Sequence, residues 1–245
     1  MNQVLVFTGA GLSAESGLPT FRDPSGTGLW TSFDPQRWGT LAAYDEHPDE
    51  LRAFYDERRR LLGAVRPTLA HQFLAGLQAK WGPQRVRLFT QNGDDLLGRA
   101  GAADVVHVHG ELTKGQCRDC GHRWSLGYGP LPPACPLCGS ARVKPDVVLF
   151  GEDAPLYEEM DRTFRRSRGD LVLVIGTLGL VIPFKRIVGN RHHPDRSCCV
   201  LNNLHREEGV AYRKYFDATL FCPATEAAPL LQRRAEDFLS GPATR

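Results

Sequence analysis

Apolar residues fall in short runs separated by longer amphipathic stretches. Residues 4–7 are a run of β-formers that closes on Thr8-Gly9-Ala10-Gly11, the pattern of a strand feeding a glycine turn. Residues 85–90 predict a second strand, entering Gln91-Asn92-Gly93-Asp94. Residues 104–109 predict a third, entering Gly110. Apolar strands resume at 147–150 and 171–175, and 198–201 is read as the last. Residues 49–62 carry Leu51, Phe54, Tyr55, Leu61 and Leu62 among charges and predict a helix, as do residues 71–81. Apolar strands alternating with helices predict a parallel sheet covered on both faces.

Two stretches break this pattern. Residues 24–40 are rich in Gly, Pro, Ser and Trp and read as a long loop, a length that in a compact domain signals function or mobility. Residues 111–142 hold four cysteines among prolines and glycines with almost no apolar periodicity, so they need a staple to stay folded. The expected organisation is a Rossmann-like α/β domain of residues 1–110 and 143–245, with a loop and helical insertion at about 24–70. A small zinc-ribbon module of residues 111–142 is inserted into it.

Composition narrows the classes. The 245 residues suit one large domain or one domain with an inserted module. A net charge of +2, from 30 basic and 28 acidic residues, is too balanced for a general nucleic-acid binder. The longest apolar run, 171–184, is interrupted by Gly176, Gly179 and Pro183 and falls short of a membrane span. The N-terminus lacks the features of a signal peptide, so a cytoplasmic location with reduced cysteines is expected.

Cys117-x2-Cys120 and Cys135-x2-Cys138 are two metal-ligand pairs, each followed by a glycine. Four thiolates predict a closed, structural Zn²⁺ site; free thiols or an iron–sulfur centre are the alternatives. His122 is read as a surface residue, and Cys198, Cys199 and Cys222 as buried thiols. The module lacks the basic and aromatic face of a nucleic-acid ribbon.

Gly9-Ala10-Gly11-Leu12-Ser13-Ala14 fits G-x-G-x-x-[GA] after a strand, which suits a pyrophosphate at a helix N-terminus; a glycine turn that binds nothing fits equally. No acidic residue closes a second strand about 20 residues on, so this is not a standard dehydrogenase half. His107 and His109 are read as pointing to opposite faces of the strand, so that only one is expected to face the crevice at the sheet's C-terminal edge, the edge where open α/β sheets bind ligands.

The wider string from Thr8 through Glu15, Ser16, Gly17, Pro19, Thr20, Phe21 and Arg22 to Asp23 resembles the signature of the sirtuins, the NAD-dependent protein deacylases. Thr90-Gln91-Asn92-Gly93-Asp94, His109-Gly110-Glu111-Leu112, Phe150-Gly151-Glu152 and Gly176-Thr177 agree, in family order, with the cysteine module in its family place. The resemblance implies that NAD is consumed and contacted by Gly9, Ala10, Gly11, Glu15, Thr20, Phe21, Arg22, Trp30, Gln91, Asn92, Asp94, Gly176, Thr177, Leu178, Asn203, Leu204 and Ala224, the last in an adenine-side loop.

It further implies that an acylated lysine of a protein attacks C1′ of the nicotinamide ribose through its acyl oxygen. His109 then acts as general base on a ribose hydroxyl, and His107 is structural. Nicotinamide, free lysine and O-acyl-ADP-ribose are the implied products. By the same resemblance Asn92 orients the ribose or a water and Asp94 accepts from the nicotinamide amide. An Asx-type turn explains Asn-Gly equally well.

Phe54-Tyr55-Asp56-Glu57-Arg58 resembles the stretch by which the desuccinylase and demalonylase type recognises acidic acyl groups. Tyr55 and Arg58 share a helix face, and Ala14 leaves room for a longer acyl chain. Against the family pattern, Gly93 replaces a large aliphatic residue and is expected to remove one wall of the nicotinamide pocket. Leu97 stands for a common His, and Leu178 for a Ser hydroxyl. These departures keep an NAD- or ADP-ribose-binding protein of weak turnover, or an ADP-ribosyltransferase, open as alternatives.

Overall fold

The computed structural model describes residues 2–20, 39–206 and 210–242. Strands β1 (Val4–Thr8), β2 (Val86–Thr90), β3 (Val105–His107), β7 (Leu171–Ile175), β8 (Cys198–Asn203) and β9 (Ala218–Phe221) form one sheet in the order β3-β2-β1-β7-β8-β9. All its pairings are parallel. That is the doubly wound dinucleotide-binding order, with its topological switch point between β1 and β7.

Alternation along each strand divides the core into two layers. Val4, Val6, Leu88, Leu171 and Leu173 pack under α4 (Leu69–Trp81) and α8 (Ala224–Ser240). Leu5, Phe7, Phe89, Val172 and Val174 pack against Met160 and Phe164 of α6 (Leu156–Arg166) and against Phe184 and Ile187 of α7 (Phe184–Ile187). Burial of both faces is why these strands read as unbroken apolar runs.

Residues 147–150 are not a strand of this sheet. Val147 ends β6 (Val143–Val147), and Phe150 makes only an isolated bridge with Thr40. Their apolar character comes from packing instead: Leu149 is buried against Ala43, Tyr44 and Leu51, on α2 (Leu41–Glu46) and α3 (Pro48–Ala64). Strand β8 is not the last either; β9 follows as a half-buried edge strand too short to show alternation. Helix α8 carries Pro229 inside it, a residue that in a sequence ordinarily argues against a helix. Ala224 is its first residue rather than part of a loop.

A second, antiparallel sheet has the order β5-β4-β6, from β4 (Gly110–Cys117), β5 (Arg123–Ser125) and β6. It carries the cysteine module and docks on α3. Arg52 donates to Pro132 O at 2.8 Å, Leu131 N donates to Asp56 Oδ1 at 3.1 Å, and the fully buried Arg59 donates from Nε to Gly129 O at 3.0 Å and from Nη2 to Asp56. The Tyr128 ring lies over Gly63. Positions 52, 56, 59 and 63 form one stripe along the helix.

Breaking a buried pair leaves a charge uncompensated. Arg59→Met should therefore lower unfolding stability by about 3 kcal/mol in urea titration, whereas Arg60→Met, which loses only an exposed pair with Glu57, should cost under about 1 kcal/mol.

Candidate active site

The site begins at the switch point. Gly9 N donates to Ile175 O and Gly11 N to Gly176 O, both at 2.9 Å. A Cβ on Gly9 would stand 2.7 Å from Gly176 O, and one on Gly11 2.7 Å from Gly176 Cα. Gly176 itself has φ +67°, a conformation that L side chains rarely adopt. The two glycine turns touch backbone to backbone because none of the three carries a side chain.

The turn after β2 completes this end. Ser13 Oγ donates to Asp94 Oδ2 at 2.7 Å and accepts from Asn92 Nδ2 at 3.1 Å; Asn92 Nδ2 also donates to Gly9 O at 3.1 Å. Asn92 therefore reaches across to the first turn instead of closing an Asx turn of its own. His71 Nδ1 accepts from Thr68 N at 3.2 Å, so Nε2 carries the proton and points it at Ser13 Oγ, 3.3 Å away. Burial pushes His71 down to about 4, which keeps the ring neutral, and burial raises the Asp94 carboxyl. Ser13 and His71 are the residues that sequence reading missed here. Their only signal was a polar residue on the apolar face of a helix.

Gln91 Nε2 donates to Thr177 Oγ1 at 3.0 Å and Asn203 Nδ2 to Thr177 O at 2.7 Å, which fixes the turn after β7. Glu15 accepts from Thr225 N at 2.9 Å and from its hydroxyl, anchoring the start of α8.

Strand alternation puts His107 and His109 on the same side, so opposite faces do not separate them. Each Nδ1 bonds a backbone carbonyl of the β2 turn, His107 with Asn92 O at 3.0 Å and His109 with Gln91 O at 3.1 Å. Strand β3 stops at His107, and His109 sits on the crossing between the two sheets, where its carbonyl accepts from Val148 N at 2.9 Å. Only His109 reaches the cavity wall. Burial lowers its pKa, opposed by the bond to Gln91. Its Nε2 lies 2.6 Å from Tyr157 Oη, a contact that no sequence motif signalled.

One cavity of about 640 Å³ joins these elements, within the usual range for a small-molecule site. Every described residue expected to touch nucleotide or acyl group lines it: Gly9, Ala10, Gly11, Glu15, Thr20, Tyr55, Arg58, Gln91, Asn92, Asp94, His109, Gly176, Thr177, Leu178, Asn203, Leu204 and Ala224, with Ala14 beside them. Phe21, Arg22 and Trp30 lie outside the described residues. Gly93 lines the cavity, and a Cβ there would meet the buried Leu112 side chain at 3.2 Å. Leu97 is buried in the core rather than facing the cavity.

The family model described as "Sir2 family" matches residues 9–183. The chain belongs to the Sir2 family. Relatives named NAD-dependent protein deacylase include one from Helicobacter hepaticus, 38% identical over 97% of this chain and 99% of its own. One from Pseudomonas aeruginosa is 39% identical over 95% and 94%. Among solved structures, a Sir2 homolog–NAD complex superposes with TM-score 0.77 at 28% identity, over 97% of this chain and 91% of the other. A mutant Sir2 homologue with 2′-O-acetyl ADP-ribose does so with TM-score 0.79 at 29% identity, over 99% and 95%. The Rossmann-like sheet with its cysteine module is the Sir2 fold.

The cysteines fit the family's metal. Their four sulfurs lie within 4.8 Å of one another, with Cys117 and Cys138 3.7 Å apart and Cys120 and Cys135 3.8 Å. Zn–S bonds of about 2.3 Å at tetrahedral angles place sulfurs about 3.8 Å apart. Gly121 at φ +72° and Gly139 at φ +75° make the two matching knuckles. Other cysteines stay apart: Cys199 is buried, while Cys198 and Cys222 are only half-buried. His122 stacks on Trp124 rather than standing free on the surface. Among the described residues no helix is long and apolar enough to cross a membrane.

Elemental analysis should find one zinc per chain. Chelation or Cys120→Ser should release it and lower the melting temperature; absence of stoichiometric metal in carefully purified protein would overturn the assignment.

Proposed function

We propose that this Sir2-family chain is an NAD-dependent protein-lysine deacylase that prefers acyl groups ending in a carboxylate, succinyl or malonyl, over acetyl. Acylated lysine side chains of proteins are its substrates. Nicotinamide, free lysine and O-acyl-ADP-ribose are its products. The relatives' shared name and the neighbour holding 2′-O-acetyl ADP-ribose support the reaction class.

The observation that carries the acyl preference is the position of Arg58. Tyr55 and Arg58 lie on the stripe of α3 next to the one docked on the cysteine module, and both line the cavity that holds His109. Burial holds the Arg58 guanidinium below its ordinary range, opposed by Tyr55 and Asp94, and burial keeps the Tyr55 phenol protonated. A guanidinium beside a phenol in a poorly solvated wall suits a carboxylate, which gains a charge-assisted bond with little competition from water. The Phe54 ring, 5.6 Å from Arg58, helps hold the side chain in place.

Bound NAD supplies the electrophilic ribose carbon and nicotinamide as leaving group. The chain's part is to cradle the phosphates at the glycine turns, where the missing side chains let backbone and pyrophosphate come close. Asn92 and Asp94, fixed through Ser13, orient the ribose and the nicotinamide amide. His109, neutral near physiological pH, takes a ribose hydroxyl proton on Nε2.

Turnover of succinylated and acetylated peptides, followed by mass spectrometry, tests both levels. His109→Ala should abolish formation of free lysine and O-acyl-ADP-ribose on both substrates. Arg58→Met should cost about 1.5–3 kcal/mol on succinyl-lysine, roughly ten- to a hundred-fold in kcat/KM, and leave deacetylation nearly unchanged. Equal losses on both substrates would make Arg58 structural, and NADH formation would place the chain among the oxidoreductases.

A further inference from the structure

Tyr157 stands at the start of α6, outside every motif of the family resemblance, yet its hydroxyl lies 2.6 Å from His109 Nε2. The direction of this bond follows from the other side of the ring. Gln91 O can only accept, so His109 Nδ1 carries the proton it shares there at 3.1 Å. In the neutral ring Nε2 is then the acceptor, and the phenol donates to it. Nε2 is also the nitrogen that must receive the ribose proton.

The phenol is not loosely placed. Its ring lies under Arg186, whose guanidinium carbon is 5.0 Å from the ring centroid. Arg186 is held bidentately by Asp161 at 3.0 and 2.8 Å, one turn further along α6. Ring, cation and carboxylate form a clamp that aims one hydroxyl at one nitrogen.

We propose that Tyr157 is a positioning residue that gates the catalytic base: its hydroxyl holds His109 in the Nδ1-protonated tautomer with Nε2 toward the cavity, and it must give up Nε2 to the ribose hydroxyl when NAD enters. No covalent step is added. One hydrogen bond to Nε2 is exchanged for another, and Tyr157 keeps its proton throughout. Burial raises the phenol, opposed by Arg186, which keeps it a donor at neutral pH. The charged groups that act on the pair are Arg186 and Asp161 behind the phenol; Asp94 and Glu152 line the same cavity, Glu152 paired with Lys144 at 3.1 Å. The inference rests on His109 being the base, which the His109→Ala assay tests on its own.

A donor on Nε2 stabilises neutral imidazole and so depresses its pKa; removing it has the opposite sign. In Tyr157→Phe the acidic limb of the kcat/KM profile, which reports the free enzyme, should move to higher pH by up to about one pH unit. On the alkaline plateau the apparent KM for NAD should fall about two- to tenfold, with kcat moving less than KM. Arg186→Gln, which loosens the clamp and keeps the hydroxyl, should shift both in the same direction by less.

Imidazole ¹⁵N spectra of the unsubstituted protein need no variant. They should show the His109 ring protonated on Nδ1, with an Nε2 signal that changes on titration with ADP-ribose. The proposal is overturned by an Nε2-protonated ring, or by an Nε2 signal that is the same in Tyr157→Phe. A tenfold loss of kcat at constant KM would also overturn it, because it would make Tyr157 a proton relay.

Discussion

Everything in the site depends on how closely two backbone turns approach at the centre of the large sheet. Gly11 N and Gly176 O are 2.9 Å apart, and at this contact a single Cβ on Gly9, Gly11 or Gly176 would drive atoms to within 2.3–2.8 Å. The contact holds the ends of β1 and β7 together at the switch point, where parallel topology leaves a crevice. Gly9, Ala10 and Gly11 of the first turn line the cavity at that crevice. Ser13, Asn92 and Asp94 then tie the turn after β2 to the same spot, and Gln91 and Asn203 tie down the turn after β7. Rigid polar groups around a small-molecule cavity are what orientation of a nucleotide requires.

A second constraint connects the two sheets. Gly110 has φ +76°, and a Cβ there would fall 2.0 Å from Asp146 O. The chain can therefore pass from β3 directly into the cysteine-bearing sheet only through glycine. His109, one residue earlier, is fixed at that crossing by Gln91 on one side and Val148 on the other. The cysteine module thus matters to the site without touching the reacting atoms. Its sheet supports His109 at one end, and its 128–132 segment grips α3 at the other, one stripe away from Tyr55 and Arg58. The cysteine cluster, α3 and His109 are thus joined through one continuous set of contacts.

Several features were legible in the residues themselves. Unbroken apolar runs such as Leu171–Ile175 announce a strand buried on both faces, because no solvent face imposes alternation. Two C-x2-C pairs, each followed by glycine, announce a metal, because two knuckles of like geometry bring four thiolates to one point. The glycine turn announced close backbone approach, and the chain-long string of motifs carried the family.

Other features existed only in space. The apolar stretch 147–150 looks like a sheet strand but belongs to the packing under α2 and α3, and periodicity over four residues cannot distinguish the two. Gly93 lies against the side chain of Leu112, nineteen positions away, a contact that no local pattern encodes. Ser13 became the partner of Asn92, Asp94 and His71 only when α1 (Gly11–Ala14) and α4 packed against the β2 turn. Tyr157 came to His109 because α6 folds back over the crossing between the sheets. Sequence determined which backbone elements form and which ligands pair, since those follow from local sterics and spacing. Tertiary structure decided which side chains meet, since long-range contacts depend on where whole helices come to rest.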